Sequence, residues 1–121
     1  MNSQAQKRGE WEPVLRHATN LTVDEYPKNV ITLFIADELD DNTVNIWRAV
    51  ASVKLKASNK NEFADLVKIF PLENKELIDM LQNNSTEEKL LKAIDESYSK
   101  FAGSFDLGWR DAILDHANRG K

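Results

Sequence analysis

Val30-Ile31-Thr32-Leu33-Phe34-Ile35-Ala36 is the stretch whose reading decides the fold class of this 121-residue chain. It is a short apolar run between the polar, proline-containing residues 21–29 and the acidic residues that begin at Asp37. Periodicity alone does not separate a buried strand from a helical segment of that length. Downstream, Trp47, Ala49, Ala51, Val53 and Leu55 alternate with Arg48, Ser52, Lys54 and Lys56, as a half-buried strand would. One reading is therefore a hairpin whose arms are joined by residues 37–43.

Glycine placement argues for the other reading. The four glycines stand at 9, 103, 108 and 120, so the region offers none of the positive-φ positions that tight hairpins use. Asp40, Asp41, Asn42 and Thr43 sit where a helix wants caps and negative charge, and Lys54, Lys56 and Lys60 where its end wants positive charge. Val44, Trp47, Val50, Ala51 and Leu55 then form an apolar helical face. Two helices are the expectation for residues 30–55.

Outward from this stretch the helical signals continue. Phe63, Leu66, Val67 and Phe70 follow helical spacing and end at Pro71, and Leu77, Ile78 and Leu81 mark a short helix ending at Asn83-Asn84. Ser85 with Glu88 has the form of a capping box. From there to Asn118 one sector collects Leu90, Leu91, Ile94, Tyr98, Phe101, Phe105, Trp109 and Ile113. The opposite side carries the acid-before-base pairs Glu88/Lys92, Glu96/Lys100, Asp106/Arg110 and Asp115/Arg119, four apart. Unbroken, such a helix would be about 48 Å long at 1.5 Å per residue, with Gly103 a natural place for a break. Toward the N-terminus, Trp11 precedes a short helix begun by Pro13 and reads as a staple or an anchor for a partner. The expected fold is all-α: a frayed end over 1–10, then one domain over 11–121 of five or six helices ending in a long amphipathic one. The alternative is α+β with a hairpin at about 30–55.

Composition limits function without naming it. Cysteine is absent, which removes disulfides and thiolate chemistry and suits a reducing compartment. Residues 1–60 carry eight bases and eight acids, so the net charge of −4 belongs entirely to the second half. An acidic chain gains little from counterion release, and direct nucleic-acid binding is not expected. With no apolar run of membrane-spanning length, the expected location is the cytoplasm. The acids Asp37, Glu38, Asp40 and Asp41 lack the glycine and spacing of a calcium loop. No phosphate loop, metalloprotease motif or serine triad occurs.

The reading that follows is a non-enzymatic protein acting by binding another protein, of inhibitor, immunity or adaptor type and without a cofactor. Its interface would be Phe101, Phe105, Trp109, Ile113 and Trp11, and a homodimer could form through the last helix. Two alternatives stand beside it: a small metal-dependent enzyme using Asp111, Asp115 and His116, and an acidic mimic of nucleic acid that occupies a DNA-binding protein.

Overall fold

The computed structural model describes residues 11–58, 60–100 and 108–119. In chain order they form α1 (Trp11–Asp24), β1 (Ile31–Ala36), α2 (Asp41–Val50), β2 (Leu55–Lys56), β3 (Phe63–Ala64), β4 (Lys68–Glu73), α3 (Asn74–Gln82), α4 (Glu87–Ser99) and α5 (Trp109–Arg119). β1 and β4 pair in parallel, Ile31 opposite Lys68 through Ala36 opposite Glu73, and β2 pairs antiparallel with β3.

The all-α expectation is thus overturned, and the hairpin alternative fails with it. Residues 31–36 are a strand, but its partner lies 37 positions onward, Ile31 facing Lys68. Missing glycines exclude a tight turn; they say nothing against a parallel pair joined by a long crossover. That crossover contains α2, the helix expected after Asp40. The Asp40 carboxylate caps it by accepting from the Thr43 N–H and hydroxyl, both at 2.9 Å. Leu55, assigned by spacing to that helix, lies in β2.

Residues 63–70 correct the reading again: they hold β3, a short link and the first half of β4, and Pro71 sits inside the strand rather than ending a helix. Proline is tolerated because the Pro71 carbonyl points away from β1, where it accepts from Arg110 Nε at 3.0 Å. A residue's N–H and C=O share one side of a strand, so the missing donor costs the ladder nothing.

The long terminal rod is also absent. α4 ends at Ser99, and α5 starts at Trp109 and lies against α4. The Ser85 hydroxyl, expected as a cap, instead donates to Asn118 Oδ1 at 2.6 Å, tying the start of α4 to the end of α5. Thr86 takes the capping role, accepting from the Lys89 N–H at 3.1 Å. At the other end the Tyr98 and Trp109 rings meet edge to face at 6.1 Å. Residues 1–10, Gly103, Phe101 and Phe105 lie outside the described residues.

The parallel pair separates two apolar clusters, as layered α/β packing requires. On one face Phe70 and Leu72 pack with Met80 of α3, Leu90 and Ile94 of α4 and Trp109 and Ile113 of α5. On the other, Ile69 and Val67 pack with Ala18 of α1 and Trp47 of α2, against Phe34. The two sheet edges differ. β4's outer carbonyls at Ile69 and Pro71 are covered by the Tyr98 hydroxyl and Arg110, whereas β1 leaves Leu33 39% and Ile35 45% exposed. Among the described residues no helix is long and apolar enough to cross a membrane.

Candidate functional site

Parallel strands tend to place ligands at their carboxyl ends. Here those ends carry Asp37, Glu73 and, just beyond, Asp40 and Glu76, and each of these carboxylates has structural duty. Asp37 accepts from the Asn74 amide, and Asp40 caps α2. Glu73 accepts from the Leu39 N–H at 3.1 Å and pairs with Lys75 at 3.3 Å. Glu76 accepts from the Glu73 N–H at 2.8 Å and from Arg110. Burial pushes the Glu73 carboxyl up, but the Leu39 N–H, Lys75 and Arg110 together hold it below the usual carboxylate value. This corner braces the fold.

Asp111 and Asp115 line a cavity of about 370 Å³ with Glu76 and Asp79, but His116 is not among its walls. His116 Nε2 lies 3.8 Å from Glu96 instead. Among the described residues no three His, Asp or Glu side chains are grouped to hold a metal ion. Of the residues expected at an interface, Trp109 and Ile113 are buried in the first cluster. Trp11 packs on the second, and its carbonyl accepts the Trp47 indole N–H at 3.3 Å.

A different place sets two exposed aromatic rings among charged side chains. Between the end of α1 and the β3–β4 segment runs a groove of about 580 Å³, bordered by Tyr26, Lys28, Asn29, Glu62, Phe63 and Lys68 among others. Tyr26 is 82% and Phe63 56% exposed, unusual waste for two large rings on one groove unless something covers them. The wall is held rigidly. Lys68 Nζ donates to Asp95 Oδ1 at 2.8 Å and to the Asn29 side-chain oxygen, and the Asn29 amide donates to Asp95 Oδ2 at 2.9 Å. An ammonium has three N–H donors, of which two are engaged among the described residues. Lys28 forms no ion pair among the described residues, and the same holds for Glu62. The neighbouring acids are already neutralised: Asp65 by Lys54 at 3.5 Å and Asp24 by Lys60 at 2.8 Å. The Asp24 hydrogen bond raises the Lys60 pKa. In the sequence this groove shows as Tyr26 and Phe63 in polar surroundings, a weak signal because spacing puts Phe63 on a helix face.

Compared with known families, residues 1–99 match the family model described as AlwI restriction endonuclease. The chain belongs to the AlwI restriction endonuclease family. No curated protein and no solved structure matches it. Membership in the AlwI family points to a DNA-cleaving enzyme and overturns the non-enzymatic inhibitor, immunity or adaptor reading. With it go the protein partner of inhibitor or adaptor type and the nucleic-acid mimic, while the metal site expected at Asp111, Asp115 and His116 fails on geometry, since His116 lies by Glu96 rather than with the two aspartates. The expectation against nucleic-acid binding falls too. Its error was to treat a net charge of −4 as if it described every surface, whereas contact with DNA depends on local groups. Phosphodiester cleavage by nucleases commonly draws on divalent cations clamped by carboxylates. The described residues of this AlwI-family chain do not supply such a cluster.

Proposed function

We propose that this protein binds DNA and acts in endonucleolytic cleavage of its phosphodiester backbone. The observation that carries the reading is the family match over residues 1–99. Two features of the molecule support it. A parallel strand pair between helical layers is a rigid platform for loops that carry function, and one groove beside that platform holds exposed aromatic rings next to lysines. The compartment we assign is the cytoplasm, which agrees with a chain that has no cysteine.

The test is incubation of the purified protein with supercoiled plasmid and Mg²⁺ or Mn²⁺, followed on agarose, alongside a filter-retention assay for DNA binding without metal. Nicked or linear product, with retention of DNA, is the expected result. A protein that neither retains nor cuts DNA under any of these conditions removes the proposal.

A further inference from the structure

We draw no further inference here: the strongest candidate, the outer edge of the parallel pair at β1, where Leu33 and Ile35 stand exposed, is an apolar sheet edge and nothing in the structure shows what covers it.

Discussion

Trp47 shows how one residue can close a layer. Fully buried, its ring meets Phe34 edge to face at 5.0 Å, and its indole N–H reaches the Trp11 carbonyl. It therefore joins α2, β1 and the start of α1. Trp47→Ala is expected to cost about 3–5 kcal/mol, a large share of the roughly 5–15 kcal/mol that holds a domain of this kind together. A shift of the urea midpoint with unchanged slope would register it. Glu73 gives the molecule an acid limit. Its carboxyl is held below the ordinary value of 4.5 in the fold. The stability it contributes is therefore complete above that value and is lost as pH falls through the lowered one. Glu73→Gln should show its largest deficit near neutrality and approach wild type as pH falls through the lowered Glu73 value, measured by urea denaturation across pH. A deficit independent of pH would refute the linkage. Arg110 teaches a related lesson: spacing put it on a solvated face opposite Asp106, yet its guanidinium binds the Pro71 carbonyl and Glu76.

At the scale of elements, the two edges of the parallel pair predict different behaviour. β4 carries a proline and is sealed by Tyr98 and Arg110, both recognised ways of protecting an edge. β1 reads Ile-Thr-Leu-Phe-Ile-Ala, with no charge or proline to blunt it. Ile35→Lys should therefore leave the melting temperature nearly unchanged while slowing aggregation near the thermal midpoint, followed by light scattering. Faster aggregation would contradict the open-edge account. The caps of α4 allow a second test. Thr86→Ala should cost about 1 kcal/mol through a lost N-cap. Ser85→Ala instead should loosen α5, because its hydroxyl bonds Asn118, and amide exchange within α5 reads that difference. Sequence spacing found the place where α4 begins to within two residues. It could not tell which hydroxyl caps and which crosses to another helix, since both stand beside the same helix start.

For the whole molecule, charge sets the character of DNA binding. With a net charge of −4 there is no long-range field drawing the chain to phosphate, so affinity must come from local contacts and stacking. If only about two basic side chains contact phosphate on duplex DNA, the slope of log affinity against log salt should be shallow, about −1.8 at 0.9 per contact. Slopes several times steeper would mean that a larger basic surface takes part.

What residue order determined by itself was local: the Asp40–Thr43 cap and the helix behind it, the helix starts near Pro13 and Ser85, the burial of Leu90, Ile94, Tyr98, Trp109 and Ile113, and the absence of thiol chemistry. What only the tertiary structure decided was partnership. The apolar run at 30–36 has the same composition whether it coils or extends, and it is a strand because β4, 37 residues away, supplies its ladder. The last quarter of the chain folds back on itself because Trp109 and Ile113 are buried with Phe70, Leu90 and Ile94 rather than with another molecule. The groove exists because α1 and β3 meet there. Spacing along a chain reports which side a residue faces, but not which distant backbone completes its hydrogen bonds, and that pairing is settled by packing across long sequence separations.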